Sequence, residues 1–99
     1  MRAMSRDEIS MYIVGLAQML SGAKKVSVDD RVYADLRLSG SDAVEFYDKI
    51  EKRFGVDLRP VTETRVEVGS GVFGSARYKN IARDPHLNEL CSFIEGQLP

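Results

Sequence analysis

Apolar side chains recur at three- and four-residue steps near the start of the chain, which is typical of one face of an amphipathic helix. These residues are Ile9, Tyr12, Ile13, Leu16, Met19 and Leu20. Residues 5–8 have the pattern of a capping box, in which the Ser5 hydroxyl accepts from an early backbone N–H. Gly22 can take the left-handed conformation that ends many helices. The pattern predicts a helix of about four turns that ends near Ser21.

A second helical stripe follows Ser39. It consists of Ala43, Val44, Tyr47, Ile50 and Phe54, with Phe46 beside it. Ser39 is predicted to cap this helix, with Asp42 as the acidic third position of a capping box. The charged residues lie mostly elsewhere on the circumference, and Gly55 is well placed just after the helix end. We expect the helix to run to about Phe54.

The connection between these helices, residues 23–38, is long and unusually apolar. Its apolar residues are Val26, Val28, Val32, Tyr33, Leu36 and Leu38. They follow neither the helical nor the strand period, so we expect a loop that packs on the core. Connections of this length in compact domains are often functional.

An alternating pattern begins within residues 61–80. The β-branched residues at 62, 64, 66 and 68 alternate with charged ones, which is typical of a strand. The pattern favours a β-hairpin with its turn at 69–71; the alternative is a glycine-rich loop, since Gly74 interrupts the second strand. Asp84 and Pro85 then predict the N-cap and first position of a last helix. Its apolar stripe is Leu87, Leu90, Cys91, Ile94 and Leu98.

The segment from Asp35 to Phe46 reads DLRLSGSDAVEF. It resembles the part of acyl carrier proteins that holds the phosphopantetheine arm, roughly D-L-G-x-D-S-L-D-x-V-E-L. The match runs position by position from Val26 to Gly55 and only by pattern elsewhere. The resemblance implies a mostly α, acyl-carrier-protein-like helical bundle of three main helices. This bundle would form a single domain over residues 1–99, with the hairpin or glycine-rich loop inserted at about 61–80.

The attachment serine of that family falls on Gly40 here, which has no hydroxyl to accept the arm. Ser41 and Ser39 flank it and are the candidate cofactor-binding residues if the chain is a carrier. Ser39 stands at the expected cap, and a one-residue shift to Ser41 turns a helical side chain by about 100°. We therefore expect no cofactor, as in divergent bacterial acyl-carrier-like proteins that lack this serine. The alternative is 4'-phosphopantetheine on Ser41 or Ser39.

Composition narrows the classes of function. The net charge of −1 offers no basic excess for nucleic acid. One cysteine and one histidine cannot form a disulfide framework or a Cys/His metal cluster. No apolar run approaches the ~20 residues that span a bilayer, and the first ten residues are charged where a secretory signal is apolar. These features predict a soluble, cytoplasmic protein without membrane insertion.

No residue pattern indicates catalysis, because Cys91 lies on an apolar stripe and His86 has no nucleophile to activate. The leading interpretation is a non-enzymatic protein-interaction module that binds a partner through the long loop and second helix. The predicted partner-binding residues are Arg37, Asp42, Glu45 and Lys49, with Ser39 and Ser41 beside them. One alternative is a working acyl carrier in fatty-acid or polyketide-type synthesis. Another is a protein that binds an acyl chain or other free apolar ligand between its helices.

Overall fold

The computed structural model describes residues 5–70 and 76–98. Its helices are α1 (Arg6–Ser21), α2 (Ser41–Phe54), α3 (Arg59–Thr62) and α4 (Leu87–Gln97). Its strands are β1 (Glu63–Ser70) and β2 (Ala76–Ala82), which pair antiparallel to form a two-stranded sheet. No described helix combines the length and the apolar character needed to cross a membrane.

The predicted fold class, a mostly α bundle of three main helices, is wrong. The described residues form an α + β structure in which three helices precede strands of eight and seven residues and a fourth helix follows them. The alternation of β-branched and charged residues in this region suits a two-stranded ribbon rather than a minor insert in a bundle. A bulge separates the pairs formed by Glu67 and Gly69. The predicted turn at 69–71 lies partly outside the described residues, and Gly74 lies wholly outside them.

The predicted ends of α1 are confirmed. The Glu8 N–H donates to Ser5 Oγ at 3.2 Å, so Ser5 is the N-cap. Gly22 is left-handed with φ 72°, and its N–H donates to the Gln18 carbonyl at 3.0 Å. Met19, placed by the pattern on the apolar stripe, is instead 65% exposed.

The predicted core face of α2 needs a correction. Phe46 is fully buried, whereas Val44, which the sequence places in the stripe, is 68% exposed. The buried positions of α2 are Ala43, Phe46, Ile50 and Phe54, which follow steps of three, four and four residues. Val44 lies about 100° further round the helix than Ala43, so it points away from the core.

The core includes the long loop, as its composition predicts. Val32, Leu36 and Leu38 are buried in the same cluster as the helices. Helix α1 packs against both α2 and α4. Arg6 joins α1 to α4, because its guanidinium donates to Ser92 Oγ at 3.0 Å. Cys91 is also buried, and burial raises the pKa of its thiol.

The last helix begins later than predicted, at Leu87 with His86 as its N-cap. Asp84 does not cap this helix. Its carboxylate instead accepts from the backbone N–H groups of Tyr33 at 2.7 Å and Ala34 at 3.1 Å. Pro85 is buried, and its carbonyl accepts from the Val32 N–H at 3.1 Å. Asp84 and Pro85, which come just before α4, therefore attach the long loop to the start of this helix.

Two further backbone bonds strengthen the attachment of the long loop. The Leu87 N–H donates to the Asp30 carbonyl at 3.0 Å, and the Asn88 N–H donates to the Val28 carbonyl at 2.7 Å. Both donors belong to the first turn of α4, whose N–H groups have no partner within the helix. The long loop thus caps α4 while Asp84 caps the turn in the loop, so the two segments hold each other in place.

Candidate functional site

The residues that join the long loop to α2 have an unusual backbone. Arg37 has φ 57°, and it is the only residue other than glycine with a positive φ in the described part of the chain. Gly40 follows with φ 54° and ψ −129°. A left-handed conformation at a residue with a side chain costs about 1–2 kcal/mol. The segment between them is anchored by buried Leu38, whose N–H donates to the Val32 carbonyl at 3.1 Å.

The candidate carrier serines lie at this junction. Ser39 is not the cap of α2, contrary to the prediction, because Gly40 occupies the N-cap position and α2 begins at Ser41. The Ser39 carbonyl accepts from the Asp42 N–H at 3.2 Å. Both serine side chains are exposed, and neither hydroxyl makes a hydrogen bond within residues 5–70 and 76–98. Because Gly40 takes the N-cap position, Ser39 lies one residue before the cap, and its hydroxyl accepts no hydrogen bond from the N-terminus of α2.

Glycine is favoured at position 40 by the backbone conformation and not by a lack of space for a side chain. A Cβ added there would meet no atom within 4 Å, but the positive φ is one that residues with side chains rarely adopt. Glycine lacks a Cβ and takes such conformations readily. The backbone at position 40 is therefore held in a conformation poorly suited to a residue with a side chain.

Replacing Gly40 with alanine is expected to lower the free energy of unfolding by about 1–3 kcal/mol, because the native φ strains any side chain. Gly96→Ala is the matched control, since a Cβ there also meets no atom within 4 Å but the residue is helical. It should raise stability by about 0.5 kcal/mol. Urea unfolding of both variants measures the difference. Equal effects of the two substitutions would contradict the strain at Gly40.

The four predicted partner-binding residues are all exposed: Arg37, Asp42, Glu45 and Lys49. The three on α2 are spaced by three and four residues, so they share one face of the helix. Within the described residues their charged groups make no ion pair or hydrogen bond. Asp48 and Lys52, on the same helix, do pair, at 3.0 Å. The helix thus presents unpaired charges of both signs to solvent.

Lys49 also borders a groove that sequence reasoning did not predict. It lines an open surface cavity of about 390 Å³ with five residues of α1: Met11, Tyr12, Gly15, Leu16 and Met19. Met11 is 75% exposed and was not part of any predicted stripe. The signal in the sequence is the spacing Met11–Gly15–Met19, in which two methionines stand four residues on either side of a glycine.

A buried phenol lies on another side of α2. The Tyr47 hydroxyl is buried and has no hydrogen-bond partner among the described residues. Burial is the main cause that raises the pKa of this phenol, with smaller contributions from Tyr33 and Asp84. Tyr47 therefore stays neutral at physiological pH, and its hydroxyl is enclosed rather than exposed to a substrate.

The geometry thus brings Asp42, Glu45 and Lys49 together on one helix face and places Arg37 in the strained junction that leads into it. Ser39 and Ser41 lie at the start of the same helix, and the methionines of α1 lie beside Lys49. Comparisons of the chain with protein-family models, curated protein sequences and solved structures give no match.

Proposed function

We propose that the chain is a non-catalytic protein-interaction module that carries no phosphopantetheine arm. Its docking face consists of Arg37, Asp42, Glu45 and Lys49. The observation that supports this function best is that these four charged groups are exposed and make no ion pair or hydrogen bond within the described residues. A cytoplasmic location stays a prediction from the sequence.

The backbone beside the docking face adds support. Strained residues persist only where the surroundings hold them, and they are concentrated at binding and catalytic sites. Arg37 is such a residue, and the loop that carries it is fastened by the carboxylate of Asp84 through the N–H groups of Tyr33 and Ala34. A face held in this way loses little conformational entropy when a partner binds.

The charges of the docking face indicate the kind of partner. Arg37 and Lys49 are basic, and Asp42 and Glu45 are acidic, so the face has no net charge. Complementary charges across an interface chiefly give specificity and orientation. We expect a protein partner with a mixed pattern of acidic and basic groups rather than a uniformly basic surface.

A working acyl carrier is the second candidate function. It is favoured by the exposed side chains of Ser39 and Ser41, whose hydroxyls make no hydrogen bond in the described part of the chain. Either hydroxyl could accept 4'-phosphopantetheine for fatty-acid or polyketide-type synthesis. The family's own attachment position is Gly40, however, so the arm would leave the helix start in a different direction. Binding of an acyl chain between the helices stays a prediction.

Photo-crosslinking in cells tests the docking face. A photoreactive phenylalanine analogue replaces Glu45, and the same analogue at exposed Gln97 on α4 is the matched control. We expect one discrete crosslinked protein from position 45 and none from position 97. Introducing Lys49→Glu should reduce the yield at position 45 at least about tenfold, as expected when a close interfacial charge is reversed.

Equal crosslinking from positions 45 and 97 would show that the adducts are nonspecific. A position-45 adduct that is insensitive to both Lys49→Glu and Arg37→Glu would also contradict the proposal. Circular dichroism of each variant checks that these exposed substitutions leave the fold intact.

A further inference from the structure

The exposed face of α1 has a self-complementary pattern. We propose that it binds the same face of a second copy of this chain, with the two α1 helices antiparallel about a two-fold axis at Gly15. Met11 and Met19 are 75% and 65% exposed, and each stands four residues from Gly15. These three residues, spaced by four along the helix, define the Met–Gly–Met stripe.

A two-fold axis at Gly15 pairs the stripe with itself. In an antiparallel helix pair, the residue four positions before the axis faces the residue four positions after it. Met11 of each copy therefore meets Met19 of the other, and the two Gly15 residues face each other. Such an interface uses the same patch twice, as two-fold dimers do. A glycine at the crossing lets the two helices approach closely.

The surface beside the stripe has room for the side chains of a second copy. One cavity of about 390 Å³ lies towards α2 and is bordered by Lys49. Another of about 340 Å³ lies on a different flank and is lined by Val14 and Gln18. Met11 and Gly15 border both cavities. Methionine is flexible and fills irregular gaps well, so the methionines of the second copy suit these depressions.

The charges at the two ends of α1 select the antiparallel arrangement. Asp7 is exposed in the first turn, and Lys24 and Lys25 are exposed just beyond the last turn. Antiparallel pairing places Asp7 of one copy near the lysines of the other, and this occurs twice by symmetry. Parallel pairing would place like charges together. The two helix dipoles also oppose each other favourably only when the helices are antiparallel.

The expected dimer is weak. A helix of 16 residues is about 24 Å long, so one helix pair is smaller than the roughly 1,200–2,000 Å² of most stable interfaces. We expect dissociation constants of about 1–100 µM. The Met–Gly–Met stripe lies on α1, and Lys49 is the one docking-face residue that borders the cavity beside it.

Sedimentation equilibrium of the full chain tests the dimer. Protein concentrations of about 1–300 µM cover the expected range of dissociation constants. Wild type should shift from the 11.1 kDa monomer to twice that mass. Met11→Glu and Met19→Lys should each abolish the shift. Mixed together, they should restore a heterodimer, because Glu at 11 then faces Lys at 19. Val44→Glu, at an equally exposed apolar position on α2, is the control that should leave the dimer unchanged.

A monomer at all concentrations, or a dimer that tolerates Met11→Glu, would overturn the proposal. A mixture of the two variants that stays monomeric would also overturn it, since only antiparallel pairing predicts the rescue. Gly15→Cys provides an independent measurement. It should form a disulfide-linked dimer under mild oxidation, whereas Gly96→Cys on α4 should not, and equal linkage of the two would contradict the axis at Gly15.

Discussion

Replacing Phe46 with alanine is expected to lower the free energy of unfolding by about 3–5 kcal/mol. Phe46 is fully buried in the core that α2 shares with α1, α4 and the long loop. Val44→Ala, only two positions away, should cost less than about 0.5 kcal/mol, because Val44 is 68% exposed. The midpoints of urea unfolding, followed by circular dichroism, measure both effects.

The pair of substitutions tests how α2 is rotated about its axis. A domain of this size has a total stability of roughly 5–15 kcal/mol, so Phe46→Ala removes a large part of it. If Val44→Ala were the more destabilising change, α2 would instead pack the stripe predicted from the sequence against the core. If both were neutral, α2 would contribute little to the core.

Asp84→Ala is expected to lower the free energy of unfolding by about 2–4 kcal/mol, because hydrogen bonds to a charged group are strong and the orphaned donors lose their partner. Its carboxylate is bonded to two backbone N–H groups, those of Tyr33 and Ala34. Hydrogen exchange should show faster exchange at both amides. Asp29→Ala is the matched control, since the Asp29 carboxylate makes no hydrogen bond within residues 5–70 and 76–98.

The amides distinguish a local from a global effect. We expect the loop amides to lose protection more than those in the middle of α1. Should Asp84→Ala behave like Asp29→Ala in both stability and exchange, Asp84 would not be the fastening of the long loop. The mutual capping of loop and α4 would then be wrong.

Local patterns were sufficient where the interacting groups are close in sequence. The ends of α1 follow from Ser5 and Gly22, whose partners lie three and four residues away. Gly55 likewise ends α2, with its N–H donating to Glu51. The alternation at 62–68 indicated a strand, and β1 begins at Glu63. Caps and strand alternation are local physics, so the sequence reports them directly.

Local patterns do not predict contacts between residues that are distant in the sequence. An aspartate before a proline is an ordinary helix start, but Asp84 finds its N–H partners 50 and 51 residues away. No local pattern reports such an acceptor. In α2, Val44 and Phe46 both fit a helical stripe, and only packing decides that the larger phenylalanine takes the interior. The predicted fold class is wrong because residues 63–70 and 76–82 form a paired two-stranded sheet and not a minor insert in a helical bundle.

Part of the candidate site was predictable. Exposure of Arg37, Asp42, Glu45 and Lys49 follows from helix periodicity and loop position. The positive φ of Arg37 does not, because nothing in its neighbours' identity requires it. The resemblance to acyl carrier proteins covers the long loop and α2 and stays a prediction. The Met–Gly–Met stripe does not stand out in the sequence, because Met19 also fits the predicted core face of α1.

We propose that this chain presents a docking face at the start of α2 but carries no arm there. Intact mass spectrometry after incubation with a promiscuous phosphopantetheinyl transferase and coenzyme A shows whether an arm can be attached, with a known acyl carrier protein in the same tube as control. We predict an unchanged mass for this chain while the control is fully modified. A single phosphopantetheine adduct, assigned by fragmentation to Ser41 or Ser39, would contradict the claim and make the chain a carrier.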